Sequence, residues 1–212
     1  MPSIDEGAKA YEMGLAARFG VAVKARRTAL KLTASELARR TAELGYPISR
    51  GAIAKIESNS RSGKVDVAEL LVLSAALDIP PVFLLFFIFP GGSLVEVLPG
   101  YQALPEDAAR WVSGRISFPR KVGDAGFEDH ARPPNDGVKV IAAASAVESA
   151  LEERMRLEKQ LEKAQDHPGE AEVAQRMLQI TEEKVVGYLQ EQGAAQRALW
   201  GLPDNSEPGS DG

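Results

Sequence analysis

The sequence has no cysteine and only two histidines, His130 and His167. The absence of cysteine excludes disulfide bonds and thiolate sites and suits a reducing compartment, so we expect a cytoplasmic protein. Neither histidine stands in a ligand pattern, and we predict no metal site and no cofactor. The first residues, MPSIDEGAKAYE, are polar, and we expect no signal peptide.

Long apolar runs and enzyme motifs are also missing. The run VFLLFFIF, from Val82 to Phe89, is eight residues long, far short of the roughly 20 residues that a membrane-spanning helix needs. We predict core or inter-domain packing for it, with a subunit interface as the alternative, and no membrane association. No HExxH, Walker-type phosphate loop or nucleophile elbow occurs, so we expect no catalytic residues and no enzymatic activity.

Acidic residues are scarce in one part of the chain. The whole sequence has a net charge of −5, but residues 18–64 contain eleven Lys and Arg against three Glu, which gives +8 there and leaves −13 elsewhere. This asymmetry is typical of a basic binding module attached to an acidic remainder. Because a basic surface supplies salt-dependent affinity for phosphates, double-stranded DNA is the expected partner.

Two helix-start signatures follow each other within this basic stretch. Thr33 and Glu36 form a capping box, and Ser49 can cap a second helix. Between them, Gly45 can end the first helix in the left-handed conformation, and Pro47 restricts the residue before it to extended backbone. Two short helices joined by a fixed turn are typical of a helix-turn-helix, a DNA-binding unit.

The second of these helices has a face suited to contact with DNA bases. Ile53 and Ile56 share one side and should point into the core. The other side carries small residues together with Arg50 and Lys55, and an Arg–guanine contact contributes roughly 1–3 kcal/mol of discrimination. Each residue could also be only a cap or a solvated charge, but their combination on one face favours contact. The predicted DNA-binding residues are Thr33, Ser49, Arg50, Gly51, Ala52, Lys55, Asn59, Arg61 and Arg26.

The order of predicted elements is one helix, the helix-turn-helix pair, and two closing helices. With its motifs, this order resembles the Cro/CI (XRE) family of lambda-repressor-type helix-turn-helix regulators, over about Leu15 to Phe87. The resemblance implies a five-helix DNA-binding domain in which Ser49, Arg50, Gly51 and Lys55 contact bases. The matching residues are Leu32-Thr33, Glu36-Leu37-Ala38, Ile48-Ser49, Ile53, Ile56-Glu57 and VDVAELLVLSAALDIPPVFLL from Val65 to Leu85.

Arg27 has two interpretations: it could contact phosphate or pair with Glu57. We favour the pair, which the family resemblance also implies. Two features depart from the family pattern: Ala34 stands where the family often has glutamine, and the connection through AELGY is about five residues longer. The longer form, which ends in GYPIS, resembles an actinobacterial subgroup that is often associated with phages.

The predicted fold class is mainly α: the five-helix lambda-repressor-like domain, a small mixed appendage and a C-terminal hairpin of long helices. In the appendage, a strand at Leu94–Leu98 is expected to pair with Arg115–Phe118, and a short helix from Pro105 holds Trp111 as a packing anchor, similar to the appendage of the same subgroup. Arg110, Arg115, Arg120 and Lys121 offer a weak second DNA contact.

The chain is predicted to divide into five segments. They are an N-terminal arm (1–14), the DNA-binding domain (15–90), the appendage and linker (91–137), the hairpin (138–200) and a disordered tail (201–212). The arm is expected to contain a short helix from about Ile4 to Glu12, and the first helix of the DNA-binding domain is expected from about Leu15 to Leu30.

The hairpin is expected to need a partner. Its helices, from Val138 to Gln165 and from Glu170 to Trp200, each carry one apolar stripe and a charged back. A lone hairpin covers such a stripe only partly. A homodimer that forms a four-helix bundle, or docking on the N-terminal part of the same chain, would cover it.

We therefore expect a sequence-specific DNA-binding transcriptional regulator, in the first instance a repressor that occludes a promoter. The alternative is an antitoxin-like or anti-regulator protein whose C-terminal helices bind a protein partner. Ala125-Gly126 could mimic the cleavage site of a self-cleaving repressor. We disfavour this function, because the sequence after that site is predicted to be helical, whereas the protease domain of such a repressor is rich in strands.

Overall fold

The computed structural model describes residues 4–60, 63–86, 93–124, 126–128, 132–164 and 166–203. These residues form eight helices and four short strands, so the chain is mainly helical. They divide into two compact units: unit 1 is Met1–Ser113 with Phe118–Ala131, and unit 2 is Gly114–Ser117 with Arg132–Gly212.

Helix α1 is continuous from Ile4 to Ala29. The predicted break between an arm at residues 1–14 and a helix from Leu15 is therefore wrong: the described part of the arm is the first part of α1. Gly14 and Gly20 suggested the break, because glycine weakens a helix. Gly20 has a packing reason, since a Cβ at this position would lie 2.2 Å from the carbonyl oxygen of Ile56.

Four shorter helices follow in unit 1: α2 (Ala34–Glu43), α3 (Arg50–Glu57), α4 (Val67–Ala76) and α5 (Pro81–Leu85). The first four helices end in the same way, with a left-handed residue two positions beyond the last helical one. Hydrogen bonds of the Schellman type close each end, for example from Leu32 N to Arg27 O and from Lys31 N to Thr28 O. The left-handed residues are Lys31, Gly45, Asn59 and Asp78, with φ of 57°, 82°, 50° and 49°.

These helices enclose one hydrophobic core made of large side chains. Leu84 of α5 belongs to this core, and the part of the Val82–Phe89 run beyond Phe86 lies outside the described residues. The fully buried aliphatic side chains are Val23, Leu37, Ile53, Leu73, Leu77 and Leu84.

Unit 1 also contains a small two-stranded sheet. Strand β1 (Val95–Leu98) pairs antiparallel with β2 (Tyr101–Ala103). The predicted pairing with residues 115–118 is wrong, because the Pro99-Gly100 turn, with Gly100 at φ +71°, brings the next residues back at once. Tyr11 Oη of α1 donates to Val97 O at 2.8 Å and Arg18 Nη2 donates to Glu96 O at 2.9 Å, which holds β1 on α1.

Helix α6 (Pro105–Val112) and the two-residue strands β3 (Val122–Gly123) and β4 (Gly126–Phe127) complete unit 1. The last part of the predicted appendage and linker thus contains a short antiparallel pair of strands from Val122. Trp111 packs against a second apolar cluster and meets Phe118 edge-on, with ring centroids 5.4 Å apart. That position agrees with a packing anchor.

Unit 2 is a hairpin of α7 (Asp136–Lys163) and α8 (Pro168–Trp200). Asn135 caps α7 by accepting from Val138 N at 3.0 Å, and Ser117 Oγ accepts from Asn135 N at 2.7 Å. Residues 114–117 therefore group with the hairpin, and the predicted appendage at 91–137 is split between the two units. Of the predicted tail, residues 204–212 lie outside the described part of the chain.

Candidate nucleic-acid interface

The start of α2 is fixed by the capping box. Thr33 Oγ1 accepts from Glu36 N at 3.1 Å, and Thr33 N donates to Glu36 Oε2 at 2.6 Å, so the predicted reciprocal pair is present. These bonds hold the pKa of Glu36 below its usual range, with the backbone bond from Thr33 as the largest cause. The Thr33 hydroxyl, predicted to contact DNA, thus has a capping role and keeps its proton, the donor that a phosphate contact needs, for a further bond.

The turn between α2 and α3 is tied to α2 by one buried hydroxyl. Thr41 Oγ1 donates to Ala38 O at 2.8 Å and accepts from Ile48 N at 3.0 Å. Since Thr41 is fully buried, the longer connection is anchored inside unit 1 although Leu44 and Tyr46 are exposed. Thr41 stands in no motif, so its role could not be predicted from the sequence.

Helix α3 is held by its inner face. Ile53 and Ile56 are buried in the core, and Ser49 Oγ caps the helix by accepting from Ala52 N at 3.1 Å. The close approach of Gly20 to Ile56 O lets the backbones of α1 and α3 nearly touch. The outer face of α3 therefore has one defined orientation relative to the rest of unit 1.

The outer face of α3 carries no carboxylate. Arg50, Gly51, Ala54 and Lys55 are exposed, as is the cap Ser49, while Ala52 is half-buried against the core. A Cβ on Gly51 would meet only Ser49 Oγ, at 4.0 Å. The fold itself does not require glycine there, so its small size leaves room for another molecule.

The charge of Glu57, the one acidic residue of α3, is neutralised by Arg27 of α1. Arg27 Nε and Nη2 donate to the two carboxylate oxygens of Glu57 at 2.6 and 2.8 Å, and Arg27 Nη1 donates to Leu32 O at 2.6 Å. Their side chains are 15% and 10% exposed, and the hydrogen bond to Glu57 raises the pKa of Arg27. The two residues thus form the pair favoured from the sequence, which links α1 to α3.

Beyond α3, basic side chains continue along the surface. Lys55, Asn59 and Lys64 line one shallow cleft, which also contains the carboxylate of Glu69. Asn59 is half-buried and its side-chain nitrogen donates to Met13 O at 3.4 Å, which links the turn after α3 to α1. Arg61, the remaining predicted contact in this loop, lies outside the described residues.

Arg26 has a structural role that the sequence analysis did not indicate. Its Nε donates to Leu77 O at 3.0 Å and its Nη2 to Asp78 O at 2.9 Å, which satisfies carbonyls at the end of α4. Arg26 thus has a helix-end contact, and its contact with DNA stays a prediction. Loss of this side chain would disturb folding together with any binding.

Lys31 is a further candidate for contact with DNA that no sequence motif indicates. It is exposed in the turn before Thr33 and holds a left-handed conformation, with φ of 57°. This conformation costs roughly 1–2 kcal/mol for a residue with a Cβ, and glycine would avoid the cost. The same conformation closes the ends of α2, α3 and α4, so it is a feature of the helix end; the exposed ammonium of Lys31 beside the start of α2 makes this residue a candidate phosphate contact.

The basic residues of the predicted appendage, which were expected to offer a second contact, are less available for contact with DNA. Arg120 Nε donates to the buried carboxylate of Asp107 at 2.8 Å, which raises the pKa of Arg120, and Lys121 forms an ion pair with Glu128. Arg110 lies 4.0 Å from the same aspartate. Arg115 is exposed but belongs to unit 2.

In the described part of the chain, no cluster of three or more metal-ligating side chains occurs. None of the described helices combines the length and apolar character needed to cross a membrane. Comparison of the chain with protein-family models, with curated proteins and with solved structures gives no match in any of the three.

Proposed function

We propose that this protein is a sequence-specific regulator of transcription that binds double-stranded DNA and acts in the cytoplasm as a repressor by covering a promoter. The observation that carries the proposal is the outer face of α3, where Arg50 and Lys55 flank the small residues Gly51 and Ala54 and all four are exposed. Small residues let a helix backbone approach base edges, and Arg donates two hydrogen bonds to guanine in the major groove.

The surroundings of α3 add electrostatic support. Arg27 removes the charge of Glu57 from the surface, while Lys31, Lys55 and Lys64 remain exposed. Neutralised phosphates release counterions, so several such lysines give an affinity that falls with salt. Under this proposal, the first five helices are a lambda-repressor-like domain of the Cro/CI (XRE) type.

The proposal includes pairing of two copies through the C-terminal helices. Two recognition helices would then occupy half-sites about 34 Å apart, or a multiple of that distance. A footprint over one asymmetric site would contradict the pairing and leave the DNA contact standing.

The decisive experiment selects binding sites for the full chain from a pool of random double-stranded oligonucleotides. We expect the wild type to enrich one motif, and Arg50→Ala to relax it at one base position by about tenfold or more. If Arg50→Ala enriches the same motif with the same stringency, the assignment of the α3 face is wrong. If the wild type enriches no motif, the proposed function fails.

The Lys31→Gly variant separates an effect on phosphate contact from an effect on folding stability. The change removes a left-handed residue with a Cβ, so we expect a higher unfolding temperature. It also removes one ammonium, so affinity should fall equally for all sequences and the salt slope should decrease by about one unit. Asp78→Gly is the matched control at the end of α4: it should raise stability without weakening binding. Unchanged affinity and salt slope in Lys31→Gly would remove this residue from the interface.

A second candidate function is an antitoxin-like or anti-regulator protein that binds a protein partner through α7 and α8. The observation in its favour is the set of large apolar side chains exposed on the hairpin, among them Met155 and Val173. A partner that copurifies in stoichiometric amount and is lost in Val173→Asp, but retained in Arg176→Glu, would support it.

A further inference from the structure

The α7–α8 hairpin buries small side chains and exposes larger ones. No side chain larger than threonine is buried among its described residues. Val173 is 63% exposed, Met155 59% and Ile180 41%. Each large apolar side chain that becomes fully buried contributes about 1.5–3 kcal/mol, so this distribution leaves much apolar surface uncovered. The buried residues are Ala143, Ala150, Ala164, Ala174, Thr181 and Ala195.

Near the turn, part of this surface forms a groove between the two helices. The groove has a volume of about 650 Å³ and an apolar floor that includes Leu157, Val173 and Met177. Its lining includes one charged residue from each helix, and the two are opposite in sign: Lys163 at the end of α7 and Glu170 in the first turn of α8. The charges thus differ in sign across the width of the groove.

We propose that this groove is the contact surface between two copies of the chain, related by a two-fold axis that runs along the helices. In this arrangement both turns lie at the same end, and α7 of each copy packs over α8 of its partner. The inference specifies the pairing that belongs to the proposed function, and it does not depend on DNA contact.

Charge complementarity selects a second copy as the occupant. A two-fold axis along the helices exchanges the edges of the groove, so Lys163 of each copy faces Glu170 of the other. The same contact occurs twice, as in any isologous interface. A partner with charge of one sign would be repelled at one edge, and a two-fold axis across the helices would place Lys163 far from Glu170 of the other copy.

The helices are long enough for a stable interface of this kind. Helices α7 and α8 contain 28 and 33 residues, which at 1.5 Å per residue corresponds to lengths of about 40 and 50 Å. A standard interface buries about 800 Å² per partner. Two hairpins packed face to face along most of this length reach that area and form a four-helix bundle.

The test uses charge reversal in the full chain without DNA, with mass measured by light scattering and sedimentation. Lys163→Glu alone and Glu170→Lys alone each create two repulsive contacts, so we expect dimerisation about tenfold weaker than in the wild type. An equimolar mixture of the two variants should regain wild-type dimerisation, because both contacts between unlike copies are then attractive. Only a contact between chains gives this rescue.

Two further variants complete the experiment. Arg176→Glu is the matched control, since Arg176 is exposed on α8 and pairs with Glu172 of the same helix at 2.9 Å; its mass should stay that of the wild type. Met177→Asp should leave helical circular dichroism in place and give a monomer. A monomeric wild type, a dimer insensitive to Met177→Asp, or a mixture without rescue would each overturn the proposed arrangement. Because DNA is absent throughout, none of these results bears on base recognition by α3.

Discussion

The two units bury side chains of different size. Unit 1 fully buries large aliphatic side chains from five helices, such as Val23, Leu37 and Ile53, whereas the described residues of the hairpin that are buried are alanines and Thr181. An alanine contributes about one methyl group, roughly 0.8 kcal/mol, and a buried leucine two to three times as much. Unit 1 is thus stabilised largely by its own interior, while the hairpin relies on backbone helicity and on whatever covers its outer apolar surface.

Three sets of substitutions test this difference. The largest effect is expected where unit 1 is most crowded. Gly20→Ala would place a Cβ 2.2 Å from Ile56 O, which forces α1 and α3 apart at a cost of about 1–3 kcal/mol. Gly14→Ala in the same helix and Gly187→Ala in α8 meet nothing within 4 Å, so each should stabilise by about 0.5–1 kcal/mol. Chemical unfolding followed by circular dichroism measures all three.

In a Trp200→Phe background, the fluorescence of Trp111 isolates the transition of unit 1. A neutral or stabilising Gly20→Ala would show that the helices of unit 1 are not in close contact, and the comparison between the units would lose its basis.

The second test compares two fully buried threonines. Thr41 Oγ1 bonds to Ala38 O and Ile48 N, whereas Thr181 Oγ1 has no hydrogen-bond partner. Thr41→Val leaves the buried N–H of Ile48 without an acceptor and should lower the free energy of unfolding by about 1–3 kcal/mol. Thr181→Val removes an unsatisfied hydroxyl and should raise the free energy of unfolding by about 1 kcal/mol. Denaturant midpoints of the two valine variants, read at each unit's transition, provide the measurement. Opposite signs are required; equal losses would show that the Thr181 hydroxyl is bonded in solution.

The smallest effect is expected on the stability of unit 1 at acid pH. The pKa of Glu36 is depressed from its ordinary value of 4.5 by the capping bonds at Thr33. Its contribution to stability is therefore present above that value and is lost as the pH falls through the depressed pKa. Glu36→Gln keeps a capping box without a titrating group, so the unit 1 transition should depend less on pH below 4.5. Urea midpoints measured from neutral to acid pH test this, with the hairpin transition as the internal control. The same acid dependence in both proteins would assign it to other carboxylates.

Short-range chemistry explains which features the sequence could predict. The capping box at Thr33, the cap at Ser49, the left-handed Gly45 and the inward side of α3 depend on residues within one or two turns of each other. Composition and periodicity also predicted the mainly helical class.

Features that depend on distant partners were missed or misplaced. The need for glycine at position 20 depends on what it meets on α3, and the partners of Arg26, Leu77 and Asp78, lie 51 and 52 residues away in the sequence. Strand β1 pairs with β2 through the Pro99-Gly100 turn, which the alternation of residues within β1 does not predict. Lys31 was missed because its left-handed backbone follows from the Schellman end of α1, which glycine usually marks.

The seam of the hairpin has a further consequence. Ala143, Ala150 and Ala164 on α7 are separated by seven and fourteen residues, and Ala174, Thr181 and Ala195 on α8 repeat the same intervals. Counted outward from the turn, the intervals are fourteen and seven residues on the α7 side but seven and fourteen on α8, so the buried positions share one heptad register although Ala150 and Thr181 are not level. Insertion or deletion of a full heptad in both helices would therefore preserve the seam. The hairpin can be lengthened or shortened in increments of about 10 Å, and its reach can evolve without any change in the way its helices meet.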